Sequence, residues 1–189
     1  MEKNPEKCLF VVSGPAGVGK DSVVAAMRAA HPEIEKTVSA TTRKPRPGEE
    51  NGVSYHFLTV AEFEALQKQD GVLESNFYCG NYYGTLRREV DARLHAGKVV
   101  VLVIDVNGAM NVKRIYPAAT TVFICPPSID ELAKRLRGRG TETEETFQKR
   151  MTRAQEELTM AEKYDARLVN DTVDHCAQTL YELIGARIK

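Results

Sequence analysis

The stretch Cys8-Leu9-Phe10-Val11-Val12-Ser13-Gly14-Pro15-Ala16-Gly17-Val18-Gly19-Lys20-Asp21-Ser22 decides how the chain is read. Cys8 to Val12 is a short apolar run halted by Ser13-Gly14-Pro15, the pattern of a strand buried on both faces that ends in a glycine turn. After the glycines, Val23, Val24, Met27 and Ala30 recur at helical spacing until His31-Pro32 stops them. Between strand and helix, Gly14-Pro15-Ala16-Gly17-Val18-Gly19-Lys20 matches G-x-x-x-x-G-K. Glycines at that spacing let successive backbone N–H groups turn inward around phosphate oxygens. The helix adds the positive end of its dipole, and Lys20 brings a full charge to the outer phosphates. The usual pattern continues with Ser or Thr, whose hydroxyl reaches Mg²⁺; here Asp21 stands in that place and Ser22 follows, so either is a candidate metal contact.

Working outward, Lys36 to Thr42 is β-prone, a loop rich in Pro and Gly follows (Pro45, Pro47, Gly48, Gly52), and Tyr55 to Leu58 reads as another strand. Thr59-Val60-Ala61-Glu62 has capping-box spacing and opens a helix that Asp70-Gly71 closes. Val72 to Tyr78 and Tyr82 to Leu86, separated by Cys79-Gly80-Asn81, read as a hairpin, so this middle part is expected to be a small antiparallel lobe. A helix from Arg87, the apolar run Val99 to Ile104 with Asp105 at its end, a short helix from Asn107 and the strand Thr121 to Cys125 come next. Continuous apolar strands alternating with helices call for a parallel sheet covered on both faces. Ser128-Ile129-Asp130-Glu131 is a second capping box, for a helix that stops at Gly138 and Gly140. A long helix is expected from Thr141, with an apolar stripe (Phe147, Met151, Ala154, Leu158, Ala161) so narrow that it suits a partly packed, lid-like element. Leu168-Val169-Asn170 and a closing helix through Leu180 and Ile184 complete the chain.

The 189 residues, 42% of them hydrophobic, fit one domain able to bury a continuous core. The 26 basic and 26 acidic side chains cancel, so a general grip on nucleic acid or an anionic membrane is not expected and any anion site is local. The apolar run Val99 to Ile104 falls far short of the ~20 residues that span a bilayer. The polar start from Met1 to Lys7 has no secretory stretch, and a cytoplasmic protein is expected. Cys8, Cys79, Cys125 and Cys176 lie far apart without CxxC pairing, which favours reduced thiols over a zinc site or disulfides. Monomer and homo-oligomer both remain open.

Phosphoryl transfer between two anionic substrates needs cations that screen their repulsion. Arg43 and Arg46 in the middle part, and Arg135, Arg137, Arg139, Arg150 and Arg153 in the lid-like part, offer planar forks suited to phosphate. For Arg137 and Arg153 a solvated helix face is an equal reading.

Several ordered motifs then carry a resemblance: Ser13 to Lys20, Val38-Ser39-Ala40-Thr41-Thr42-Arg43-Lys44-Pro45-Arg46-Pro47-Gly48-Glu49, Gly52 with Tyr55 and Phe57, and Leu73-Glu74. Gly80-Asn81-Tyr82-Tyr83-Gly84-Thr85, Ile104-Asp105-Val106-Asn107-Gly108, Pro126-Pro127-Ser128, Arg135 to Gly140 and Tyr164-Asp165 with Val169-Asn170-Asp171 continue it. From Leu9 to Asp171 the chain closely resembles guanylate kinases. The resemblance implies a three-layer α/β P-loop NTPase fold with a parallel-sheet core (7–36, 88–125 and 167–189), an inserted mixed α+β GMP-binding lobe (37–87) and a helical lid (126–166). It implies that ATP, with Mg²⁺, and GMP or dGMP are the substrates. The donor site would comprise Gly14, Pro15, Ala16, Gly17, Val18, Gly19, Lys20, Asp21, Ser22, Arg135, Arg139 and Asn170. Lys20, Arg43, Arg135, Arg139 and Arg150 would neutralise the transferred charge.

On the acceptor side the resemblance implies that Ser39, Arg43, Arg46, Tyr55 and Tyr83 hold the GMP phosphate, with Thr85 a hydroxyl partner for the base. Glu74 suits guanine recognition, since a carboxylate accepts from N1–H and the exocyclic amine together, whereas adenine presents a lone pair at N1. Tyr82 reads as hairpin packing. Asp105 ends the most apolar strand, where α/β ligands collect. Guanylate kinases commonly carry acidic residues two apart there, and Val103 replaces the first, so the role of Asp105 stays open between nucleotide contact and support of the metal. Two other readings remain: a ribose bisphosphate kinase, which the Gly-Lys-Asp-Ser ending of the loop resembles, and a non-catalytic guanylate-kinase-like binding module.

Overall fold

The computed structural model describes residues 4–137 and 143–188. After a 3-10 turn at Pro5–Cys8 come β1 (Leu9–Ser13), α1 (Lys20–Ala30), β2 (Ile34–Lys36), β3 (Ala40–Thr41), β4 (His56–Phe57), α2 (Val60–Lys68), β5 (Val72–Tyr78), β6 (Asn81–Leu86) and α3 (Arg87–His95). The chain continues through β7 (Val99–Val103), α4 (Val106–Ile115), β8 (Thr120–Cys125), α5 (Ile129–Arg137), α6 (Glu144–Thr159), β9 (Ala166–Val169) and α7 (Val173–Ile188).

Five strands in the order β2-β7-β1-β8-β9 pair in parallel, with β1 at the centre and all its residues buried. Because side chains alternate along a strand, Phe10 and Val12 join one hydrophobic cluster and Leu9 and Val11 the other. The first is completed by α1 (Val23, Val24, Met27), α5 (Leu132, Leu136), part of α6 (Phe147, Ala154) and α7 (Leu180, Ile184). The second is completed by α3 (Val90, Leu94) and α4 (Val106, Ala109, Val112), with Leu158 of α6 packed against it. The result is the three-layer α/β architecture that the continuous apolar strands require.

The middle part departs from the antiparallel expectation. Its sheet runs β4-β3-β6-β5; β3 pairs antiparallel with β6 but parallel with β4. The loop from Thr42 to Tyr55 is long enough to bring β4 back alongside β3 in the same direction. The β-prone stretch 36–42 also divides, its start belonging to β2 on the edge of the main sheet and its end to β3. The hairpin is tighter than expected: Cys79 (φ 48°) and Gly80 (φ 77°) alone make a two-residue turn of the primed type.

Caps follow the same pattern of partial agreement. Thr59 and Glu62 form a complete capping box, with the Thr59 N–H donating to Glu62 Oε2 at 2.7 Å and the Glu62 N–H to Thr59 Oγ1 at 3.2 Å. At α5 only half the box forms: Ser128 Oγ accepts from the Glu131 N–H at 3.1 Å, while the Glu131 carboxylate takes Arg135 Nε instead. Helix α6 is capped by Thr143, whose hydroxyl accepts from the Thr146 N–H; the expected start at Thr141, together with Gly138, Arg139 and Gly140, lies outside the described residues. The four cysteines carry free thiols, and no helix among the described residues is long and apolar enough to cross a membrane.

Candidate active site

The loop of residues 14–19 leaves the carboxyl end of β1, where parallel α/β sheets gather ligands. Gly14 has φ 143°, and a Cβ there would lie 2.3 Å from the Ile124 carbonyl oxygen on β8, so only glycine lets the loop turn this close to the neighbouring strand. Gly14→Ala is therefore expected to cost about 3 kcal/mol, read as a fall of about 6–12 °C in melting temperature. Gly19 (φ 94°) precedes α1 without any side-chain cap, leaving the first-turn N–H groups for an incoming anion. Lys20 folds back over its own loop, with Nζ donating to the carbonyls of Gly14 (2.7 Å) and Pro15 (3.1 Å).

Two residues expected at the donor also brace the loop. Asn170 is 2% exposed; its Nδ2 donates to the Val18 carbonyl at 2.7 Å, and its Oδ1 is buried without a partner. Arg135 donates to the Asn170 carbonyl at 3.2 Å and to Glu131 at 3.1 Å. Arg150 is half-buried on α6. Asp21 and Ser22 are both exposed, and Lys36 Nζ stands 3.4 Å from the Asp21 carboxylate. No group of three or more His, Cys, Asp or Glu among the described residues could hold a metal alone. The donor set fits Mg²⁺ all the same, because this ion keeps several waters and is held largely by substrate phosphates with one or two protein oxygens.

A cleft of about 220 Å³ lies beside the carboxyl end of β7, with Ser39, Tyr55, Glu74, Asn76, Tyr83 and Asp105 in its wall. Thr85, 1% exposed, donates its hydroxyl to Glu74 Oε1 at 2.6 Å. Burial pushes the Glu74 carboxyl up to about 7; the Asp105 charge acts the same way and the Thr85 hydrogen bond opposes it. Asp105 caps α4, one oxygen accepting from the Gly108 N–H at 2.8 Å and the other from Asn76 Nδ2 at 3.1 Å. These bonds give Asp105 an architectural task that its strand-end position did not disclose.

Arg43, Tyr55 and Tyr83 gather at one side. The Arg43 guanidinium lies 5.6 Å from the Tyr55 ring, and Tyr55 meets Tyr83 edge to face at 6.2 Å. Glu49 takes both Nη atoms of Arg43 at 2.8 and 2.9 Å. The Arg46 side chain is exposed, while its backbone N–H donates to Glu49 at 2.7 Å. Tyr82 stacks on Phe63 at 5.2 Å, as packing. Arg137 lies over the Phe147 ring at 4.3 Å and Arg153 pairs with Glu157 at 2.9 Å, both on helix faces. Two wall or support residues escaped the sequence reading. Asn76 was reachable, being two residues beyond Glu74 on the same face of β5, whereas Glu49 was visible only as part of a motif.

An amide-lined loop closed by a lysine, set at the carboxyl end of a parallel sheet beside an inserted lobe of tyrosine, arginine and a buried carboxylate, defines a P-loop phosphotransferase for small anionic acceptors. The guanylate kinase profile matches residues 6–187. A guanylate kinase of Gloeobacter violaceus is 48% identical over 185 residues, covering 98% of this chain and 90% of its own length. One from Thermobifida fusca is 47% identical over 180 residues, covering 95% and 92%. The crystal structure of guanylate kinase from Anaplasma phagocytophilum superposes with TM-score 0.71 at 27% identity, over 94% of this chain and 84% of that one. The chain belongs to the guanylate kinase family.

Proposed function

We propose that the chain transfers the γ-phosphoryl group of ATP to GMP, and to dGMP as a second acceptor, releasing ADP and GDP in the cytoplasm. Membership of the guanylate kinase family makes this transfer its reaction. The observation that supports the residue assignments is the pairing of Glu74 with Thr85 in a cleft that also holds Tyr55 and Tyr83.

The open N–H groups of the loop and of the first turn of α1, with Lys20, wrap the donor phosphates, and Asn170 and Arg135 brace the loop. Ser39, Arg43, Arg46, Tyr55 and Tyr83 hold the acceptor phosphate, and Glu74 reads guanine with the Thr85 hydroxyl beside it. Asp105 keeps Asn76 and the start of α4 in place against that base. Asp21 or Ser22 would hold Mg²⁺, which when bound neutralises charge on the β- and γ-phosphates. By the family resemblance Arg135, Arg139 and Arg150 of segment 126–166 have the task of neutralising charge on the donor in a site from which water is excluded. The attacking phosphate oxygen is already anionic, so positioning and charge neutralisation suffice without a general base.

The test is turnover across GMP, dGMP, AMP, IMP and ribose bisphosphate, with and without Mg²⁺. GMP and dGMP should react only with the metal present. Preference for ribose bisphosphate, the reading that Asp21-Ser22 favours, would displace the proposal.

A further inference from the structure

The loop that carries Arg43 and Arg46 has its own internal clasp. Arg46-Pro47-Gly48-Glu49 closes a turn in which the Glu49 N–H donates to the Arg46 carbonyl at 3.0 Å, with proline second and glycine third at φ 83°. The turn folds the Glu49 side chain back, and its Oε2 accepts the Arg46 N–H at 2.7 Å. That same oxygen takes Arg43 Nη1 at 2.9 Å while Oε1 takes Nη2 at 2.8 Å, with the side chains only 15% and 21% exposed. Three charge-assisted bonds hold the Glu49 carboxyl down at about 2, the Arg43 fork contributing most, so it is a carboxylate at every working pH.

A guanidinium has five N–H donors in a fixed plane. The Glu49 oxygens and the Lys44 carbonyl, at 2.7 Å, account for both Nη1 hydrogens and one on Nη2. The Nε hydrogen and the second Nη2 hydrogen form another parallel fork. The guanidinium also interacts with the Tyr83 hydroxyl and lies against the Tyr55 ring, the groups read above as the phosphate cage. Glu49 thus grips one edge of Arg43; the remaining donors, shared in part with the Tyr83 hydroxyl, are those a phosphate monoester would take.

We propose that Glu49 is a positioning residue for the acceptor phosphate, holding Arg43 and the 43–49 turn in the geometry that receives it. The proposal rests on the assignment of Arg43 to the GMP phosphate. An anion arriving at the second fork does not displace the carboxylate, so Glu49 orients Arg43 rather than competing for it. An arginine so held loses little side-chain freedom when the ligand binds.

The test compares the parental chain with Glu49→Gln, Glu49→Asp, Arg43→Ala and the Arg43→Ala/Glu49→Gln double variant, by steady-state kinetics with MgATP and by calorimetric titration with GMP alone. For Glu49→Gln the KM and Kd for GMP should rise about tenfold while the KM for ATP stays within about twofold and kcat within about threefold, the signature of lost acceptor binding. Glu49→Asp, which keeps the charge, should recover part of the loss. In the Arg43→Ala background the Gln substitution should add less than about a factor of two, because its effect passes through that arginine. Unchanged GMP affinity in Glu49→Gln overturns the proposal, as does tighter binding, which would make the carboxylate a competitor. Equal losses for Gln and Asp, fully multiplied penalties in the double variant, or ATP and GMP constants rising together with a lowered melting temperature also overturn it. If the parental chain fails to bind GMP, the assignment of the acceptor site falls and takes this role with it; parental binding with an indifferent Glu49→Gln removes only the role of Glu49.

Discussion

Lys20→Ala should lower kcat/KM by on the order of 10³ or more while the melting temperature moves by only a few degrees. The ammonium is the charged member of a loop whose other donors are backbone amides, and in the structure it bonds the loop's own carbonyls at Gly14 and Pro15. Loop glycines set the backbone path by their positive φ, and Asn170 and α5 support it from behind, so the fold does not depend on the lysine alone. What is lost is charge placed where it builds up during transfer, and such charge is worth most in a site from which water is excluded. A coupled assay of ADP release checks this. Turnover of GMP near the parental rate would remove Lys20 from the donor site.

Glu74→Gln is the second large effect. Guanine offers two adjacent donors, and a carboxylate accepts both; the amide offers one acceptor and sets its NH₂ against the other donor. GMP kcat/KM should fall about 10²-fold or more, and the discrimination against AMP should shrink. The pH dependence carries a second signature. With the Glu74 carboxyl pushed up to about 7 by burial, the parental kcat/KM for GMP should climb more steeply between pH 6 and 8 than that of the Gln variant, whose remaining slope comes from the substrate phosphates, with a second pKa of about 6. Stability runs the opposite way. A carboxyl whose folded-state pKa lies above its ordinary 4.5 contributes fully below that value, and the contribution is lost as pH rises through about 7. Glu74→Gln should therefore gain on the parent in melting temperature at pH 8 relative to pH 5, by the equivalent of roughly 2 kcal/mol. A variant with unchanged GMP kinetics and no pH-dependent stability difference would move guanine recognition elsewhere.

The parts that were legible in the sequence are those set by near neighbours. The run Leu9 to Val12, the glycine spacing after it and the Val23–Val24–Met27 stripe predict β1, the loop and α1 because burial, turn and helix period are each written within about a dozen residues. The Thr59–Glu62 box and the hairpin of β5 and β6 are local in the same sense. Strands of two residues, such as β3 and β4, have no period to read, and their mixed pairing follows from where a fourteen-residue loop, 42–55, returns the chain. Within the site, residue types suggested a chemistry but could not disclose partners. That Asn170 braces Val18, that Asp105 holds Asn76, and that Glu49 clasps Arg43 are contacts across 152, 29 and 6 positions, and only folding brings the first two together.

Helix α6, read as partly packed, buries only Phe147 and Ala154 along its length, and its stripe is shared out: these two sink into the cluster on one face of the sheet, while Leu158, with Ala161 just beyond the helix, joins the cluster on the other. One helix thus contributes side chains to both halves of the interior. A substitution at Ala154 or Phe147 therefore acts on the packing of the first cluster, and one at Leu158 on that of the second.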